Sequence, residues 1–150
     1  MRYPPHTYDD FRPGAAFVAE PREISRADID AFSALSGDRT ALHTDDEYAA
    51  TTAFGGVVAH GCLNLAAATG QAYALGAFEG TVLAFRDLQV SFDRPVRPGD
   101  AVTLTLTVQE LDPRPREDRG TVAFLARLDN QHGKRVLSGT WRIVLRRGTT

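Results

Sequence analysis

The stretch from Gly61 to Leu75 constrains this chain more than any other. Leu63, Leu65, Ala66, Ala67, Ala68, Ala72 and Tyr73 leave little room on such a helix for a solvated side. A helix of that kind belongs inside a protein. With His60, Asn64 and Gln71 in or beside it and Gly interruptions, it is too polar to read as a membrane span. Something else in the chain must therefore wrap it. Residues 81–92, 101–111, 121–129 and 135–146 are rich in Val, Leu, Thr and Phe. Val102, Leu104, Leu106 and Val108 alternate with polar neighbours, the period of a half-buried strand. Pro95, Pro98-Gly99-Asp100, the run from Asp112 to Gly120, and Gln131-His132-Gly133 punctuate these strands as turns. About four antiparallel strands wrapped around one buried helix satisfy both elements, and the fold class is α+β.

The first half supplies shorter elements. Residues 1–13 read as an irregular arm and 15–24 as a short first strand. Ser25, with Asp28 three positions on, marks a helix start, Ile29, Phe32 and Leu35 recur at helical spacing, and Gly37 stops the helix. Residues 38–43 read as loop. Thr44 and the acids behind it start a second short helix, about 45–51. Phe54-Gly55-Gly56 reads as a flexible loop. A chain of 150 residues fits one domain, 1–150. An apolar fraction of 43% against 24% charged argues against disorder. Seventeen basic and 19 acidic residues give a net charge of −2, which argues against a nucleic-acid partner. Cys62 is the single cysteine, so no internal disulfide forms, and the N-terminus lacks a signal-peptide pattern. Those features point to a cytoplasmic protein without a membrane partner.

Asp38 and His43 are the first candidates for chemistry. A loop can turn a carboxylate and an imidazole toward one point, the usual proton-transfer pair near neutral pH. From spacing alone the same residues read more readily as a turn cap and a surface histidine. His60-Gly61 is second, because unpaired N–H groups at a helix start can bind an oxygen that becomes negative. Its plain alternative is a helix start with His60 satisfied in the core. Thr69, on the buried helix, needs a hydrogen-bond partner, and a loop backbone suffices. Cys62 reads as a buried small hydrophobe. Histidines 6, 43, 60 and 132 show no paired metal-ligand spacing, and no phosphate-binding loop is present. The arginines of 114–119 are interleaved with acids and read as a solvated hairpin tip.

The run Ser36-Gly37-Asp38-Arg39-Thr40-Ala41-Leu42-His43-Thr44-Asp45 resembles the hydratase-2 motif of the MaoC-like dehydratase family, which includes (R)-specific enoyl-CoA hydratases. The resemblance extends over Glu47-Tyr48-Ala49, Phe54-Gly55-Gly56, Val57-Val58-Ala59-His60-Gly61, Val90-Ser91-Phe92 and Pro95-Val96-Arg97-Pro98-Gly99-Asp100, with Asp28 to Phe32 as lead-in helix. It implies a single hotdog domain, a curved antiparallel sheet around a long central helix, here Gly61 to Leu75. It also implies a homodimer or higher homo-oligomer, formed by joining sheets edge to edge.

By this resemblance Asp38 and His43 are the catalytic pair, holding a water beside the double bond of a 2-enoyl thioester. The Gly61 N–H would face the thioester oxygen, with Thr40, His60 and Thr69 in support. The implied activity is a hydratase or dehydratase acting on a 2-enoyl-CoA or 3-hydroxyacyl-CoA. The acyl-CoA, or a carrier-protein thioester, is then the substrate, and neither a cofactor nor a metal is called for. Thr40-Ala41 departs from the Asn-Pro of the family, which bears on substrate and activity level. Two other functions share the fold: an acyl-CoA thioesterase and a non-catalytic acyl-binding subunit. The first usually places a carboxylate on or near the central helix, and residues 61–75 contain none. Arg39, Arg94 and Arg97 are candidates for phosphate contacts or ordinary surface charges.

Overall fold

The computed structural model describes residues 2–148. A 3₁₀ turn at Tyr8–Asp10 lies within the N-terminal arm. The expected first strand is two, β1 (Ala16–Val18) and β2 (Arg22–Glu23). Pro21 stands just before the second and has no N–H to give a ladder, which accounts for the break.

Helix α1 (Arg26–Ser36) begins as its sequence dictates. Ser25 Oγ accepts from the Asp28 N–H at 3.1 Å, and Asp28 Oδ2 accepts from the Ser25 N–H at 2.9 Å. Gly37 ends it at φ 78°, a left-handed conformation that a side chain would strain. Ile29 and Ser33 face the core, whereas Leu35 is exposed, so the apolar stripe is narrower than the i, i+3 pattern suggested. The segment expected as loop contains a one-turn helix, α2 (Ala41–Thr44), followed by α3 (Asp46–Thr51). Asp45 caps α3 by accepting from the Tyr48 N–H at 2.9 Å.

Helix α4 (Gly61–Ala74) lies on a sheet whose long strands are β3 (Val82–Phe92), β4 (Ala101–Leu111), β5 (Arg119–Asn130) and β6 (Arg135–Arg146). The order is β1-β4-β5-β6-β3, all antiparallel, with β2 also pairing β4. Along β4 the residues Val102, Leu104, Leu106 and Val108 are buried and the threonines between them half-buried, as the period of two requires. Trp141, Phe124, Leu128 and Leu137 complete the core under α4. Gln71 docks the helix to the sheet: its Nε2 donates to the Val102 carbonyl at 2.9 Å and to the Glu20 carbonyl at 2.7 Å.

Two expectations about α4 are corrected. The helix is not enclosed on all sides: Cys62, Ala66, Thr69, Gly70 and Tyr73 lie on an exposed face. Cys62 is therefore an exposed thiol and not a core hydrophobe. The cause is topological. β3 closes the sheet on one side with a free edge, and nearly all of its residues are exposed, including Val82, Leu83, Phe85, Leu88 and Phe92. An apolar helix face and an apolar strand edge lie open together. No helix among the described residues is long and apolar enough to cross a membrane.

Candidate active site

The site forms where the loop after α1, the one-turn helix α2 and the start of α4 meet. Asp38, His43 and His60 each bring one polar atom into a cluster in which all three lie within 4.8 Å of one another. Asp38 is exposed, His43 half-buried and His60 buried.

Asp38 is held by Thr40. Its Oδ1 accepts from the Thr40 hydroxyl at 2.6 Å and from the Thr40 N–H at 3.1 Å. The hydroxyl bond, and after it the N–H bond, keep the carboxyl below its ordinary range against a small opposing effect of burial. Asp38 is thus an ionised acceptor at neutral pH. Thr44 steadies the turn by donating to the Arg39 and Thr40 carbonyls, each at 3.2 Å.

His43 is oriented by a residue that motif reasoning did not single out for this purpose. Its Nδ1 lies 2.7 Å from the Val58 carbonyl. A carbonyl can only accept, so Nδ1 carries the proton and Nε2 of the neutral ring keeps its lone pair. His60 packs against this ring with centroids 3.9 Å apart and planes inclined by 28°. Its Nε2 sits 3.0 Å from the Asp38 carbonyl and 3.2 Å from Ser33 Oγ. Ser33 lies outside the quoted motifs and Val58 enters them without a role, because one acts through a small hydroxyl and the other through its backbone.

The three clustered groups are also of donor types that bind metal ions. His43 Nδ1 and His60 Nε2 are already committed to carbonyls. A carboxylate beside an imidazole lone pair suits a hydrogen-bonded water better.

Gly61, the first residue of α4, has an N–H without an intrahelical acceptor. Its missing side chain has a local cause. A Cβ there would come within 2.9 Å of two carbons of the Phe92 ring. The glycine makes room for Phe92 of β3, which draws the end of that strand up to the helix start.

Thr69 is not at the pair. It is exposed, and its hydroxyl donates to the Ala66 carbonyl of its own helix at 2.7 Å. It instead lines a cavity of about 320 Å³ with Ala72, Tyr73, Phe85, Trp141 and Ile143. Of the three arginines, Arg97 donates to the Phe54 carbonyl and Arg94 to that of Arg135. Arg39 lies in a recess with Ser33 and Thr44 beside the loop that carries Asp38.

The family model for the MaoC like domain matches residues 10–127 of this chain. The chain belongs to the MaoC-like dehydratase family. One relative, an (R)-specific enoyl-CoA hydratase of Rhodospirillum rubrum, is 34% identical over 113 residues, covering 72% of this chain and 73% of its own. An unliganded R-hydratase from Pseudomonas aeruginosa superposes with a TM-score of 0.80 at 32% identity, over 95% of this chain and 86% of that one. A Mycobacterium tuberculosis protein with a double hotdog fold matches at TM-score 0.84 and 24% identity, over 96% of this chain and 45% of its own. This MaoC-like chain accordingly has the hotdog fold expected from its motifs, with α4 as the central helix.

Proposed function

We propose that the protein adds water to a 2-enoyl thioester, or removes it from the 3-hydroxyacyl thioester, with Asp38 and His43 as the acid/base pair. One observation carries the reading. The ionised Asp38 carboxylate and the His43 ring, with its lone pair on Nε2, lie together beside the start of α4. A water between them has two acceptors for its hydrogens. In hydration its oxygen bonds to C3 as the C2–C3 double bond opens. One water proton goes to the pair, and charge builds as an enolate on the thioester oxygen. The Gly61 N–H stabilises that oxygen. One such donor is typically worth about 10²–10³ in rate. The pair then returns a proton to C2, leaving both groups as they began. Relatives named as hydratases at about a third identity support the same reaction.

The substrate is an acyl-CoA or carrier-protein thioester, and its chain runs along the exposed side of α4. Thr69 lies eight residues beyond Gly61, about 12 Å at 1.5 Å per residue. The apolar cavity lined by Ala72, Tyr73, Phe85 and Trp141 begins there and suits an alkyl tail.

The working unit is a homodimer. Among the described residues β3 is a long strand with no partner on one side, and such edges are ordinarily covered. Val82, Leu83, Phe85, Leu88 and Phe92 make it apolar as well as open. A second copy of the same edge would extend the sheet and cover the exposed face of α4.

The deciding assay follows crotonyl-CoA and longer 2-enoyl-CoAs by loss of conjugated-thioester absorbance, with free thiol measured in parallel. Hydration without thiol release is expected. Thiol release alone would turn the assignment to a thioesterase, and no reaction at any chain length would turn it to an acyl-binding subunit.

A further inference from the structure

His60 is the most enclosed of the three clustered groups, at 2% exposed, and the proton-transfer scheme does not use it. Its ring touches the backbone of one residue that the scheme uses and the ring of the other. Nε2 is within hydrogen-bond distance of the Asp38 carbonyl and of Ser33 Oγ, and the ring face lies on His43. Phe32 closes another side, with ring centroids 4.9 Å apart. The residue after it is Gly61. Nδ1 is buried and has no hydrogen-bond partner among the described residues.

These facts determine the form of the ring. The Asp38 carbonyl can only accept, so the proton is on Nε2. A second proton on Nδ1 would be a buried donor without a partner, and burying one costs free energy. It would also set a positive ring against His43, which has to accept a proton during turnover. A neutral Nε2–H ring avoids both penalties.

We propose that His60, held as the neutral Nε2–H tautomer, is the positioning residue of this site: it anchors the Asp38 backbone and backs the His43 ring. The need for it follows from exposure. The Asp38 side chain is exposed, and Thr40, its hydrogen-bond partner, belongs to the same loop. The bond from His60 to the Asp38 carbonyl ties that loop to the start of α4. One buried ring therefore sets the loop, the imidazole and the helix start relative to one another.

The inference rests on the hydratase reading for its kinetic part, and the test separates the two. His60→Leu keeps bulk and removes the donor, whereas His60→Gln keeps an N–H where Nε2 stood. The Leu variant is expected to lose about 10²-fold in kcat, the scale of a small misplacement of reacting groups. Its KM should stay nearly unchanged, and the Gln variant should recover most of the rate. Long-range proton–nitrogen NMR reads the ring tautomers without substrate. Wild-type protein should show Nε2–H at His60 and Nδ1–H at His43. The Leu variant, and not the Gln variant, should shift the Asp38 and Thr40 amides. A proton on Nδ1 of His60, equal loss in both variants, or a Leu variant with wild-type amides and rate would overturn the proposal. If wild-type protein hydrates no enoyl thioester, the function fails, while tautomers and amide shifts still decide the positioning.

Discussion

The Thr40 hydroxyl donates to Asp38 Oδ1 at 2.6 Å, so the residue that departs from the expected motif acts directly on the carboxylate proposed for proton transfer. This bond is the largest influence lowering the Asp38 pKa. Thr40→Val removes the hydroxyl at nearly constant volume, and the Asp38 pKa should rise toward its ordinary value. A depressed carboxylate pKa favours the ionised form, and its contribution disappears as pH falls through the folded-state value. The acidic limb of kcat/KM should therefore move to higher pH in the variant. An unmoved limb would show that another group sets it.

Asp38→Asn keeps the shape and removes the charge, and His43→Ala removes the imidazole. Each should lower hydration by about 10²–10⁴-fold, the usual contribution of a positioned proton-transfer group. Neither residue lies in the buried core, so thermal unfolding should change little. Near wild-type turnover in either variant would show the site to be wrongly assigned.

Gly61 and Phe92 are coupled by contact. Gly61→Ala places a methyl group against the Phe92 ring, and overpacking of this kind costs about 1–3 kcal/mol when the neighbour cannot yield. Because Phe92 is half exposed, most of that cost should vanish in a Phe92→Ala background. A double-mutant cycle in chemical denaturation measures the coupling. Purely additive losses would mean that the ring does not constrain the glycine in solution.

The open β3 edge predicts a dimer by light scattering or sedimentation. Leu83 and Leu88 are both exposed on it. Leu83→Lys with Leu88→Lys should yield monomer, since lysine on an edge strand opposes pairing. A wild-type chain that runs as a monomer at micromolar concentration would remove the dimer from the proposal.

Filling the cavity should shorten the accepted chain. Ala72→Phe occupies the space between Tyr73 and Trp141 and should depress turnover of long 2-enoyl-CoAs while sparing crotonyl-CoA. Equal effects across chain lengths would place the acyl tail elsewhere.

Local rules in the sequence were enough for helices α1 and α4 and for the four long strands, though not for the split first strand or the turn of helix at Ala41–Thr44. The Ser25–Asp28 capping box, the Gly37 stop, the alternation along 102–108 and the small, apolar residues of 61–74 each act over a few positions, and each is realised. The motif order also picked out Asp38, His43, His60 and Gly61. Three matters were decided only by tertiary structure. The His43 tautomer depends on the Val58 carbonyl, a backbone group fifteen residues away that no side-chain pattern marks. Thr69 reads as buried while α4 is taken alone, yet the free β3 edge leaves its side of the helix open. The contact that requires a glycine at 61 comes from Phe92, which the fold brings from the far end of β3 against the helix start. Capping and periodicity are short-range effects written in neighbouring residues. Which carbonyl meets which ring, and which face stays open, follow from the packing of distant strands.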